Sequence, residues 1–401
     1  MPHQRPRQIL SILLKRLKLW PVVGIIGVRQ SGKSVLLRDL LLPELLRAGR
    51  RARYKTLDSI TERNRALKSP EAYSEPDLNS LQILDEVQKA PDLFDSIKLH
   101  VDQNRHPGMF VMSGSTEFSK LTGIRESLTG RIGILHLYPM TLSELHQKAL
   151  GGYWVKRVTR TSQIQRILTL DSFEKKINRG GMPGLCFIRD DHEFGASCDM
   201  WLETSCFRDL QQVQATALEG ELGLSILGEI ARSEEPTAAS LARTLKKDAR
   251  LIQKYLKAFE AILVIHRLDP HPAGVGKPIY TLTDVGLASH LGAGRQSLLR
   301  THLLFEGLSA FEAEGWGKPR VYYYRNEKTA RIPIIFDWGK KKTAPESIAV
   351  QIHDGESPSP GEFLSTEAFA RRAQWQGRIL LMTQTREAYL EKHIEVCPLR
   401  G

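Results

Sequence analysis

Gly27-Val28-Arg29-Gln30-Ser31-Gly32-Lys33-Ser34 frames two glycines ahead of a lysine and a hydroxyl, between the apolar run Val22 to Ile26 and a segment of helical periodicity. Few local patterns constrain a fold as strongly. Glycines let the backbone wrap an anion so that successive N–H groups point inward, and a helix opening at Lys33 adds its positive dipole end. Val22 to Ile26 reads as a buried parallel strand, and Val35, Leu36, Leu37, Leu40 and Leu41 supply the apolar face of the following helix. The expected fold class is therefore α/β: the parallel sheet of a P-loop NTPase, with helices on both faces. Its ligand is expected at the C-terminal strand edges. A nucleoside triphosphate, ATP, is the expected ligand of Gly27, Val28, Arg29, Gln30, Ser31, Gly32, Lys33, Ser34 and Val35. Lys33 is placed to reach the β- and γ-phosphates, and Ser34 to ligate Mg²⁺.

A second strand, Leu81-Gln82-Ile83-Leu84, ends in Asp85-Glu86. Asp85 at a strand's C-terminal edge can hold Mg²⁺ through water beside Ser34, and Glu86 can polarise an attacking water. On its own such a run marks only a strand end; after a phosphate loop it has the form of the Walker B element. A third strand, Met109 to Met112, leads into Ser113-Gly114-Ser115-Thr116. Ser115 is a candidate γ-phosphate sensor, and a plain Ser/Gly turn is the alternative. Asp58, closing Tyr54 to Asp58, is expected to end another central strand near the site. Arg131 and Arg125 are both candidates for an arginine finger, with a surface arginine as the alternative for each. A finger acting between subunits makes the active form a homo-oligomer.

The remaining features set the class. A chain of 401 residues, 41% hydrophobic and 25% charged, has room for two or three domains with ordinary cores. No apolar stretch approaches the roughly 20 residues that cross a bilayer; Ile9 to Trp20 is interrupted by Lys15, Arg16 and Lys18 and suits an amphipathic helix over 1–20. The acid-free, arginine-rich start imitates a transit peptide, but the loop strand at Val22 leaves no room for a disposable leader. Cys186, Cys198, Cys206 and Cys397 form no C-x-x-C pair, so metal clusters are not expected and a reducing cytoplasm is. A net charge of +12 favours polyanionic partners, either nucleic acid or acidic protein surfaces.

Between 221 and 295 the pattern is helix (Leu224 to Ile230), a helix start at Pro236-Thr237, Leu241 to Leu245, a turn at Lys246 to Ala249, helix Ile252 to Phe259, then strand-like Ile262 to Leu268. This order is that of a winged helix, with His271 to Gly276 as the wing. Arg243, Lys246, Lys247, Arg250, Lys254 and Lys257 make its recognition-helix region cationic, so duplex DNA is one expected partner and a protein client the other.

Taken together, the loop, Leu84-Asp85-Glu86-Val87-Gln88, Ser113-Gly114-Ser115, Ser127-Leu128-Thr129-Gly130-Arg131, Leu137-Tyr138-Pro139-Met140-Thr141-Leu142-Ser143-Glu144-Leu145, Gly180-Gly181-Met182-Pro183, Arg208-Asp209-Leu210 and Asp284-Val285-Gly286-Leu287 resemble the prokaryotic AAA-type ATPases that carry a winged-helix segment and a C-terminal domain of restriction-endonuclease-like fold. The resemblance implies ATP binding and hydrolysis, favours Arg131 over Arg125 as the finger, and implies a small α/β nuclease-like module over 296–401. An active nuclease of that fold needs an Asp and a Glu-x-Lys on adjacent strands. Here Arg331-Ile332-Pro333-Ile334 and Gln351-Ile352-His353 stand at those positions, so both carboxylates are lost and binding without cleavage is expected. Asp337, Glu306 and His353 are an alternative metal set. The expected organisation is an amphipathic helix (1–20), the ATPase core (21–145), a helical lid or linker (146–220), the winged helix (221–295) and the degenerate nuclease-like module (296–401). The expected function is an ATP-hydrolysing switch acting on DNA or a protein. The alternatives are a non-hydrolytic nucleotide-sensing scaffold or DNA-binding regulator and, third, a metal-dependent nuclease.

Overall fold

Strand β1 (Val22–Ile26) lies at the heart of a five-stranded parallel sheet, flanked by β4 (Phe110–Gly114) and β5 (Ile132–His136). A computed structural model gives this architecture and describes residues 5–76, 80–117, 128–147, 170–212, 218–327, 330–339 and 345–399. Arg125 and part of the 146–220 segment lie outside the described residues. With β2 (Arg51–Thr56) and β3 (Ser80–Asp85) the sheet order is β2-β3-β4-β1-β5. Residues alternate between faces, as the pleat requires. Val23, Ile25, Leu81, Ile83 and Val111 point to one side, where the helix Ile9–Arg16 and Leu36, Leu37 and Leu41 cover them. Val22, Ile26, Leu84, Phe110 and Met112 point to the other, against Phe94 and Ile97 of the helix Leu93–Gln103. Helices on both faces follow directly from continuous apolar strands.

The helix after the loop runs through Pro43 by winding as a π-helix over Leu36–Leu41, which eases the clash a proline ring makes with the carbonyl one turn back. β2 has exposed and half-buried residues along its length and is an edge strand, not a central one. Asp58 follows it and pairs with Lys89.

Beyond the parallel sheet come the helices Leu170–Arg179 and Asp191–Thr204, and then Gly220–Arg232, Ala238–Thr244 and Ala249–Ala261. Thr237 closes a capping box with Ser240, and Asp248 caps the next helix, which fixes the tight turn between the two. An antiparallel hairpin of β6 (Ile265–Pro270) and β7 (Ile279–Leu282) follows. Asp269 and Pro270 of β6 pair in parallel with Tyr322 and Tyr323 of β8 (Arg320–Arg325). The hairpin therefore joins an eight-stranded sheet with β9 (Arg331–Asp337), β10 (Ile348–Ile352), β11 (Arg378–Thr383), β12 (Tyr389–Glu391) and β13 (Ile394–Pro398), and this sheet crosses the boundary expected at 295/296. One apolar cluster continues from Val28 and Tyr138 through the helices to Leu399, so the C-terminal elements share a core with the segment that roofs the loop.

The alternative metal set does not assemble. Glu306 accepts a hydrogen bond from Leu142 N–H (2.8 Å), Asp337 accepts from Ser347 (2.7 Å), and His353 pairs with Glu362 (2.5 Å). Among the described residues no cluster of His, Cys, Asp and Glu is placed to hold a metal ion. The four cysteines are buried, and burial pushes the thiols of Cys186, Cys198 and Cys206 up to about 12.

Candidate nucleotide site

The loop leaves the C-terminal end of β1 at Gly27, where a Cβ would meet the carbonyl oxygen of Leu137 at 2.4 Å. Only glycine fits there. Gly32 has φ 95°, the left-handed conformation that lets the chain turn into the helix at Lys33. Lys33 is 4% exposed, and its Nζ donates to the carbonyls of Gly27 (2.9 Å) and Val28 (3.2 Å), so the side chain arches back over the loop. Burial lowers its pKa, while the carboxylates of Glu86 and Asp85 act against that shift. The strand-end acids therefore face the loop lysine closely enough to feel its charge.

Asp85 is fully buried at the end of β3 and accepts hydrogen bonds from the hydroxyls of Tyr54 (2.6 Å) and Ser113. Glu86 takes a left-handed backbone conformation, φ 60°, with its N–H donating to Ser113 Oγ (3.3 Å). A non-glycine residue adopts this conformation at a cost, of order 1–3 kcal/mol, that surrounding contacts must offset. Here Ser113 braces both acids. Ser115 Oγ lies 3.5 Å from Glu86 Oε2, and Gln88 Nε2 lies 3.0 Å from Ser115 Oγ. The structure thus gathers the loop, Asp85, Glu86 and Ser115 at one sheet edge.

Arg131 is at the other edge. Val22 N–H donates to its carbonyl, so it sits where β1 begins, a strand length of roughly 17 Å from the loop at about 3.3 Å per residue. Its guanidinium is engaged by Asp102, at 2.5 and 2.8 Å. This placement keeps Arg131 away from the loop of its own chain.

Arg7 and Trp201, to which sequence reasoning gave no role, converge on the loop together with Arg29, Glu144 and Asp209. Arg7 is buried and donates to the carbonyls of Ser31 (2.7 Å) and Tyr138 (2.7 Å), with Glu144 3.2 Å away. Arg29 pairs with Asp209 at 3.0 Å, and Trp201 Nε1 donates to the Arg29 carbonyl at 3.4 Å. Burial raises the Asp209 pKa, with Arg29 holding it down. Pro183 and Gly184 approach Gly32 and Gln30 so closely that a Cβ on Gly184 would meet Gln30 Oε1 at 2.9 Å. Gly-Gly-Met-Pro and Arg-Asp-Leu, which read by themselves as a turn and a helix, therefore close on the phosphate loop. The signal for them lay only in the family resemblance.

The residues present fit a magnesium-bound triphosphate. Ser31 Oγ is buried in the loop without a partner, Gly27 and Gly32 keep side chains out of the cradle, and a helix N-terminus opens at its floor.

Residues 20–146 match the family described as an AAA domain. An uncharacterized protein of Mycobacterium tuberculosis and one of Mycobacterium bovis are each 26% identical to the chain over 344 residues, covering 82% of it and 71% of their own length. Among solved structures, the Walker-type ATPase PABY2304 of Pyrococcus abyssi aligns at 16% identity and a TM-score of 0.43, over 71% of this chain and 94% of its own. AMPPCP-bound DnaA from Aquifex aeolicus aligns at 15% and 0.28, over 63% and 85%. The N-terminal part of the chain is thus similar to AAA domains. No helix among the described residues is long and apolar enough to cross a membrane.

Proposed function

We propose that the chain is an ATP-hydrolysing molecular switch whose nucleotide state is passed to its C-terminal elements and read by duplex DNA. The observation that carries this reading is the convergence of Lys33, Asp85 and Glu86 on one loop whose crest is tied to the roof by Arg29 and Asp209. Loop N–H groups and Lys33 bind the phosphates, and Glu86, held beside Ser115, takes the proton of the attacking water. Ser34 and Asp85 would hold Mg²⁺, which when bound neutralises charge on the phosphates. To reach the phosphates, Lys33 exchanges its bonds to the Gly27 and Val28 carbonyls for phosphate oxygens, which frees the loop to shift against Arg7 and Asp209.

The DNA arm of the reading rests on the helix Ala249–Ala261 and the turn before it. Arg243, Lys246, Lys247, Arg250, Lys254 and Lys257 are all exposed there, on elements that run in the order of a winged helix. Retention of Glu86 favours turnover over a passive scaffold, which has no use for a water-activating carboxylate. Pro333 and Gln351 in place of carboxylates disfavour a nuclease. Steady-state ATPase with and without duplex DNA across a salt series tests the whole reading. Stimulation that fades steeply with salt is expected from phosphate contacts; ATPase indifferent to DNA at every salt concentration removes the DNA arm.

A further inference from the structure

A cavity of about 210 Å³ opens between the first turn of the helix Arg295–Glu314, the strands β9 and β10, and the loop that carries Glu234 and Glu235. It is remote in the fold from the nucleotide loop. Two polar side chains on one face of that helix, Ser297 and Arg300, line it at 6% and 8% exposure. Ser297 Oγ and Arg300 Nε are both buried without any hydrogen-bond partner, although buried polar groups are almost always paired. Arg300 Nη1 donates to the Glu234 carbonyl at 2.6 Å, and no carboxylate among the described residues lies within ion-pair distance of the guanidinium. Glu235 is held by Arg325 at 2.5 Å, with Arg331 3.8 Å away, and Glu234 is exposed. The buried guanidinium therefore feels the Glu235 and Glu234 carboxylates only from beyond ion-pair distance, and its Nε has no hydrogen-bond partner.

Its surroundings add donors. The helix carries no side-chain cap and no acidic residue in its first turn, so its positive end is left for a ligand. A guanidinium, a hydroxyl and a helix N-terminus together suit a tetrahedral oxyanion, which accepts several hydrogen bonds at once. The volume is more than a bare phosphate needs. Ile279, Ile332 and Pro333 offer an apolar wall to the surplus. Pro333 and Gln351, which stand where a nuclease of this fold would carry its metal-binding carboxylates, line the same cavity. The carboxylates that remain in the lining are Glu234 and Glu235, and Arg325 pairs with Glu235.

We propose that this cavity is a phosphomonoester-binding site, with Arg300 and Ser297 holding the phosphate and the apolar wall taking the organic group. The phosphate is carried either by a small free metabolite or by the 5′ end of a nucleic-acid strand.

Calorimetric titration tests this on Lys33→Ala protein and, in parallel, on the unsubstituted protein saturated with Mg-ADP, so that the nucleotide loop cannot supply the signal. The probes are inorganic phosphate, ribose 5-phosphate, and a short single-stranded DNA with either a 5′-phosphate or a 5′-hydroxyl. One saturable site for a phosphorylated probe is expected in both preparations, weakened about tenfold or more by Arg300→Met and by Ser297→Ala. Binding of ribose 5-phosphate but not of the phosphorylated DNA assigns the site to a metabolite; the phosphorylated but not the hydroxyl DNA assigns it to a strand end. In phosphate-free buffer Ser297→Ala should unfold at or above the parental temperature, because it removes a buried hydroxyl that has no partner. No phosphate-dependent binding in either preparation, binding unchanged in both variants, or a lowered unfolding temperature for Ser297→Ala without ligand overturns the proposal.

Discussion

Arg29 Nη1 lies 3.0 Å from Asp209 Oδ1, an ion pair that spans 180 residues of chain and joins the crest of the phosphate loop to the helical segment above it. Arg29 is one-third exposed and Asp209 mostly buried, so solvent screens the pair only in part. Its value is as a link: whatever moves the loop on nucleotide binding pulls on the roof.

Breaking that link should change nucleotide response more than stability. A double-mutant cycle of Arg29→Ala and Asp209→Asn, read by thermal unfolding, should give a coupling of about 1 kcal/mol without ATP. Asp209→Asn alone should shift the ATP concentration for half-maximal turnover by about fivefold. A coupling of zero together with unchanged turnover would show that the roof does not sense the loop.

Glu86→Gln keeps the shape of the side chain and removes the base. Hydrolysis should fall by about 10²–10⁴-fold while ATP affinity stays at the parental level or tightens. Parental turnover in this variant would hand the water-activating role to another group.

How much of this was legible from sequence depends on how local the constraint is. The loop and its strand were readable because Gly27, Gly32, Lys33 and Ser34 must lie close in sequence to wrap one anion. Asp85 and Glu86 were readable because an apolar run has to end somewhere, and the end of β3 is the edge where the loop sits. Arg7 was not, and Glu144 and Asp209 stood only in motifs of the resemblance, since each meets the site only after more than a hundred residues or a whole layer of the fold has been placed. Where Arg131 sits relative to the loop was not readable, because strand direction sets it: five residues of β5 separate it from the edge that carries Gly27. Pairing of β6 with β8 was hidden for the same reason, as no local pattern announces a parallel neighbour fifty residues away.

If Arg131 completes the site of a neighbouring copy, two damaged proteins should repair each other. Arg131→Ala and Lys33→Ala are each expected to lose ATPase activity by roughly 10³-fold or more. Mixed in equal amounts they should recover a substantial fraction, because one supplies an intact loop and the other an intact arginine. Activity of Arg131→Ala equal to the parent, or no recovery on mixing, counts against a shared site.

Glu306 offers a test of the packing between the ATPase and the C-terminal helix. Burial pushes it up from 4.5 to about 7, against the opposing pull of Lys176 and of the Leu142 N–H it accepts. The folded protein thus holds a proton that the unfolded chain has lost. The contribution to stability is complete below pH 4.5 and is lost as pH rises through 7. Glu306→Gln retains the acceptor for Leu142 and cannot ionise. Its stability relative to the parent should rise across that window by on the order of 2 kcal/mol, measured by denaturant unfolding at a series of pH values. Parallel curves for the two proteins would mean that Glu306 is ionised throughout.

The central claim is that the loop at 27–34, with Asp85 and Glu86 facing it, grips a magnesium-bound triphosphate. Thermal unfolding with Mg-ATP at about 100 times its dissociation constant measures this most directly. The unsubstituted protein should gain roughly 2.7 kcal/mol and Lys33→Ala almost nothing. An unfolding temperature that does not move with Mg-ATP, or that moves equally in Lys33→Ala, would contradict it.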